Sequence, residues 1–144
     1  MEHPVSRYLF KVGFSIIEIL VAIVIFSLIL LGLLSAVLTV YEIEMRNSLR
    51  DMANLILVEQ LEEIRTLGYS GVNSALNNGT SNCKDALLSG KNIVERELKN
   101  TLYRFGKFYS ISNNTVIGVK KVTVEICWFY KGRLYSLNGT TIVR

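Results

Sequence analysis

Between residues 19 and 41 the sequence has no acidic, basic or amide side chain, no histidine and no proline. That run of 23 residues exceeds the roughly 20 that carry a helix across a bilayer, so the chain meets a membrane. The only histidine, His3, and the only proline, Pro4, both fall in the first 13 residues. Without another histidine, neither a Ser–His nor a Cys–His pair can form beyond the N-terminus, and no P-loop, GxSxG or HExxH pattern is present. Catalysis is therefore not expected, and no cofactor is implied. Cysteine is scarce too: Cys83 and Cys127 lie far apart and match neither zinc-site nor CxxC spacing. They form a disulfide if this part of the chain faces an oxidising compartment, and remain two free thiols otherwise.

The charge present is sorted by region. The net charge of +4 divides into +1 over residues 1–13, −1 over 14–41, −3 over 42–68 and +7 over 69–144. Such blocks speak of partners and not of fold. The distal part is the basic part.

The N-terminus is not an ordinary secretory signal, which has an apolar stretch of about 7 to 15 residues followed by a small-residue cleavage site. Here the stretch is longer and no such site follows. Arg7 and Lys11 precede it, the basic flank that holds this end in the cytoplasm. Glu18 stands within the apolar sequence, where a carboxylate costs about 2.5–3.5 kcal/mol at mid-bilayer and less near the end. It calls for a cation.

The segment Lys11-Val12-Gly13-Phe14-Ser15-Ile16-Ile17-Glu18-Ile19-Leu20-Val21 resembles the prepilin processing motif of type IV pilins and type II secretion pseudopilins. The resemblance implies that a dedicated prepilin peptidase cuts between Gly13 and Phe14 and that the new Phe14 amine is N-methylated. It further implies that Glu18 is the family's assembly glutamate. A freed α-amine titrates near about 7.7–8.0 and is largely protonated at neutral pH, so Phe14 is the natural cation for Glu18. Their pairing is a device for register more than for stability. The resemblance places the pair between neighbouring subunits; an i, i+4 pair within one helix is the alternative.

Beyond residue 41 the helical pattern turns amphipathic. Leu49, Met52, Ala53, Ile56, Leu57, Leu61, Ile64 and Leu67 recur at spacings of three and four, with Arg50, Asp51, Asn54, Glu59, Glu62 and Arg65 opposite. Gly68 is the expected stop. Residues 68–91 are rich in Gly, Asn and Ser and read as a loop, with one helical turn near residues 85–88. Asn92 and Glu95 have the form of a capping box, and Val94, Leu98, Leu102 and Phe105 continue at helical spacing, which predicts a short helix. Val122, Val124, Ile126 and Trp128 alternate with Thr123, Glu125, Cys127 and Phe129, the pattern of a strand. Lys131 and Gly132 supply a turn, 134–143 returns, and 108–111 adds a third strand. Trp128 reads as core.

The expected fold is α+β and pilin-like. A leader covers 1–13, a membrane-spanning helix half 14–41 and its amphipathic half 42–67, a loop with a short helix 68–106, and an antiparallel sheet 107–144. An apolar half can exchange lipid for like helices at little cost, and Gly32, Ser35 and Ala36 allow close approach. Many major pilins carry a proline in this helix; this chain does not, so no proline kink is expected. Leu30-Leu31-Gly32-Leu33-Leu34, Glu59-Gln60-Leu61-Glu62-Glu63-Ile64-Arg65 and the valine-rich strand with Trp128 look like the PilV-type minor pilins, or pilus modification subunits. The partners this implies are prepilin peptidase, other pilin or pseudopilin subunits and the inner membrane. The destination is a pilus at the cell surface or, for a type II secretion pseudopilin, a periplasmic filament.

DNA binding is a further reading. Lys99, Arg104, Lys107, Lys120, Lys121, Lys131 and Arg133, with Tyr103, Tyr109 and Tyr130 near them, suit phosphate contacts and base stacking. Alternatively this basic surface meets the acidic 42–68 stretch of the same or another subunit, or is solvated. Three N-x-[ST] matches, at Asn78, Asn113 and Asn138, are what Asn-rich loops produce by chance.

Overall fold

A computed structural model describes residues 15–114 and 118–144. The elements run α1 (Ile16–Gly71), a 3-10 turn (Ser74–Asn77), α2 (Cys83–Ser89), β1 (Ile93–Leu98), β2 (Thr101–Asn114), β3 (Val119–Tyr130) and β4 (Arg133–Val143). The chain divides into two compact units, Met1–Ile43 and Glu44–Arg144. Helix α1 begins in the first and ends in the second.

In the first unit every described residue of α1 is exposed. An apolar helix with nothing over it in water is unstable as such; its length and composition suffice to cross a bilayer. The aliphatic hydroxyls of the apolar run, on Ser27, Ser35 and Thr39, are satisfied inside the helix. Ser27 Oγ donates to Ile23 O at 2.8 Å, Ser35 Oγ to Gly32 O at 2.8 Å and Thr39 Oγ1 to Ser35 O at 3.0 Å. No polar atom of these side chains therefore needs water, as a hydrocarbon environment requires.

In the second unit α1 is amphipathic. Met45, Leu49, Ala53, Ile56, Leu57, Gln60 and Ile64 are buried, a stripe at helical spacing that covers one face of the sheet. Gly68 interrupts the helix with φ 63 and ψ −169, a backbone conformation a side chain disfavours. Leu67 ends the expected stripe but is 40% exposed.

The sheet is a four-strand antiparallel meander in the order β1-β2-β3-β4. Phe105, Tyr109, Val122, Val124, Ile126, Trp128 and Val143 join the α1 stripe in the core. Side chains alternate between sheet faces, so Gly106 and Cys127 point to the other face, where α2 lies. A Cβ on Gly106 would come within 2.8 Å of the Cys83 carbonyl oxygen and 2.9 Å of Leu87. Gly139 serves the opposite face: a Cβ there would meet Leu57 and Leu61 at 3.1 Å. The second unit is thus layered as α1, sheet, α2.

The expected α+β arrangement of a long N-terminal helix on an antiparallel sheet is present. The short helix over residues 92–106 is not. Those residues form β1 and the start of β2, in a hairpin that pairs Val94 with Phe105 and Leu98 with Thr101. Lys99 and Asn100, at φ 50 and 60, make the two-residue turn with both residues left-handed that suits the strand twist. The sheet accordingly starts near residue 93 and has four strands where three were expected. Asn92 caps no helix: its Nδ2 donates to Lys107 O at 2.9 Å, and Lys107 N donates to Asn92 O at 2.9 Å. Asn77 continues along the same edge, its Nδ2 donating to Tyr109 O at 2.9 Å while its Oδ1 accepts from Tyr109 N at 2.8 Å. Two asparagine amides thus satisfy β2 where β1 has ended, an edge otherwise open to foreign strands. The predicted turn near 85–88 is the centre of α2, whose N-cap Asn82 accepts from Asp85 N. Lys131 and Gly132, at φ 49 and 75, form the expected turn.

Candidate functional site

Gly13 and Phe14 lie outside the described residues. The helix starts directly after them: Ser15 O accepts from Glu18 N at 3.0 Å and from Ile19 N at 3.2 Å. Glu18 stands in the first turn of α1, where the exposed N–H groups and the helix dipole favour a negative charge. It shares a shallow apolar surface with Ile19, Ala22, Ile23 and Phe26. Among the described residues no cation pairs with it. A Cβ on Gly32 would meet nothing within 4 Å, so another helix can approach closely there.

Within the sheet domain the structure separates the basic residues by what they face. Arg96 pairs with Glu59 at 3.0 Å and Lys99 with Glu44 at 3.4 Å, so two distal cations meet the acidic stretch of α1 in the same chain. Lys107 Nζ donates to Gln60 Oε1 at 3.2 Å. Lys120 Nζ donates to Tyr69 O at 2.6 Å and Val72 O at 2.7 Å, and lies 4.2 Å from the Tyr69 ring centroid. It thereby closes the carbonyl end of α1, the role a cation has at a helix C-terminus. Arg104 pairs with Glu95 at 2.9 Å on the outer face. Lys131 lies 5.9 Å from the Tyr130 ring, and Lys121 and Arg133 are exposed.

Of the tyrosines grouped with these cations, Tyr109 is buried, while Tyr103 and Tyr130 are half-buried. Tyr109 is 6% exposed and its hydroxyl donates to Gln60 Oε1 at 2.6 Å. Burial, and after it the negative charge of Glu63, push that hydroxyl up to about 12. Tyr103 packs against the core, its hydroxyl 3.9 Å from Met45 Sδ. Tyr109 offers a base no free ring face.

Cys83 and Cys127 are bonded, with Cα atoms 6.1 Å apart, and tie the N-terminus of α2 to β3. Two features escaped the sequence reading. Gln60 occupies a stripe position between Leu57 and Ile64; a lone amide on an apolar face was the available signal. The other is a cleft with Arg46, Arg50, Trp128, Tyr130 and Tyr135 on its walls, residues that only the folded sheet brings together.

Fold and site define a class: an α+β chain with a disulfide-bonded sheet domain and one helix long and apolar enough to span a membrane. No family model, curated protein or solved structure matches the chain.

Proposed function

We propose that the chain is a type IV pilin-like subunit, a minor structural component of a pilus that prepilin peptidase processes between Gly13 and Phe14. The single observation that carries this reading is Glu18. It is a lone carboxylate one turn into an apolar helix, five residues beyond a glycine that ends a short basic leader. Helix, leader and carboxylate have a common logic under this reading. The uncut subunit waits in the inner membrane as a single-pass protein with its N-terminus in the cytoplasm. Cleavage frees the Phe14 amine, whose positive charge neutralises a Glu18 carboxylate when subunits pack. The apolar halves then exchange lipid for one another, at the open surface around Gly32. The sheet domain is carried outside, and no step requires catalysis by the chain.

The test is co-expression with a prepilin peptidase, followed by intact mass and terminal fragmentation. The expected product begins at N-methylated Phe14 and is lost in Gly13→Leu. A chain still starting near Met1 would falsify the assignment and leave a single-pass anchor with a basic sheet domain.

A further inference from the structure

The sheet domain contains a cleft of about 230 Å³ whose walls are of two kinds. Trp128 and Tyr135 stack, with ring centroids 5.9 Å apart and planes 19° from parallel, and Tyr130 adds a third ring. Two guanidinium groups complete it: Arg46, 5.8 Å from the Tyr135 centroid, and Arg50. Arg65, Arg96 and Arg104 each hold a carboxylate, but among the described residues none pairs with Arg46 or Arg50. The cleft therefore presents N–H donors and positive charge. Guanidinium forks match phosphate oxygens in pairs.

Chain connectivity says which phosphate is at hand. Arg46 and Arg50 follow the apolar run by five and nine residues. Five residues reach at most about 18 Å fully extended, so Arg46 stays close to the surface of a bilayer that residues 19–41 span, whatever angle the two units make. Tryptophan, tyrosine and arginine are the side chains that settle at that level. Trp128 and Tyr135 already stack on one another, Arg46 lies over Tyr135, Lys131 lies 5.9 Å from the Tyr130 ring, and Trp128 is only 5% exposed, so the site suits a headgroup phosphate better than a nucleic-acid base in search of an open ring face. We propose that this cleft binds the phosphate of an anionic phospholipid headgroup and seats the sheet domain on the membrane while the subunit resides there. The inference rests on the anchoring part of the reading above and not on processing or filament assembly.

The test uses the full chain in nanodiscs of phosphatidylcholine with a minority of phosphatidylglycerol. Lipids retained by the protein are identified by native mass spectrometry, and Trp128, the only tryptophan, reports on the cleft by fluorescence. Phosphatidylglycerol is expected to be enriched over the disc composition by roughly fivefold per arginine, with Trp128 emission following its fraction. Arg46→Gln with Arg50→Gln returns both signals to baseline, whereas Lys84→Gln with Lys121→Gln, which removes equal charge elsewhere, preserves them. Enrichment that is absent, or that survives the arginine substitutions, overturns the inference. Inorganic phosphate or a single-stranded oligonucleotide that reproduces the Trp128 change in pure phosphatidylcholine discs overturns the lipid assignment in favour of that ligand. Carbonate extraction of cell membranes reads anchoring separately. A chain that washes out overturns anchoring and this inference together; a retained chain without lipid enrichment overturns the inference alone.

Discussion

The Tyr109 hydroxyl donates to Gln60 Oε1 at 2.6 Å, joining the middle of β2 to the C-terminal part of the buried stripe of α1. The amide oxygen also accepts from Lys107 at 3.2 Å. Removing the two partners should therefore cost different amounts. Tyr109→Phe leaves Gln60 with one donor and is expected to lose about 0.5–1.5 kcal/mol of unfolding free energy. Gln60→Leu strands a buried hydroxyl and is expected to lose about 1–3 kcal/mol. Urea unfolding of the two variants should rank them in that order.

The same hydroxyl makes stability fall in alkali. Its titration is pushed up to about 12 from an ordinary 10.0. Between those values the unfolded chain releases the proton and the folded chain keeps it, so folding loses ground as pH rises through that window; below pH 10 the contribution is complete. Other tyrosines and lysines titrate nearby, but Tyr109→Phe isolates this one. The variant should show a shallower stability decline between pH 10 and 12 than the parent.

Gly106 and Gly139 should respond differently to alanine. At Gly106 the new Cβ meets a backbone oxygen of α2, which the disulfide holds in place; overpacking there is expected to cost about 1–3 kcal/mol. At Gly139 it meets the ends of Leu57 and Leu61, which can turn aside, and thermal melting should register a smaller loss.

Replacing both Cys83 and Cys127 with serine opens a loop with a sequence separation of 44. The expected loss is about 2–4 kcal/mol. Proteolysis should then cut first around α2, which loses its tie to β3.

Lys120→Met keeps the aliphatic stem and deletes the two bonds to Tyr69 O and Val72 O. A loss of about 1–2 kcal/mol is expected, with faster amide exchange confined to residues 69–72.

Much of this was written in periodicity. The long helix and the β3–β4 hairpin followed from spacings of three and four and from strict alternation around Lys131 and Gly132. Residues 92–106 misled because Val94, Leu98, Leu102 and Phe105 sit at helical intervals, while their real relation is across strands, Val94 opposite Phe105. The turn between them, Lys99 and Asn100, carries no glycine and gave a weak signal. The arginine and aromatic cleft was illegible for a different reason. Arg46 and Trp128 are far apart in sequence, and only the register of β3 and β4 on α1 decides that they share a wall.

Each strand of the meander pairs with its immediate successor, so every hairpin closes over a short loop and no pairing waits for a distant partner. Helix α1 is synthesised first and the strands that cover its apolar stripe last. During synthesis, then, the stripe from Met45 to Ile64 is the exposed surface at risk of aggregation. Neighbour-to-neighbour strand order sets how briefly it stays bare: β2, β3 and β4 can be laid onto it in the order they are made, and the bond that fixes α2 on the far side can form once Cys127 has emerged in β3.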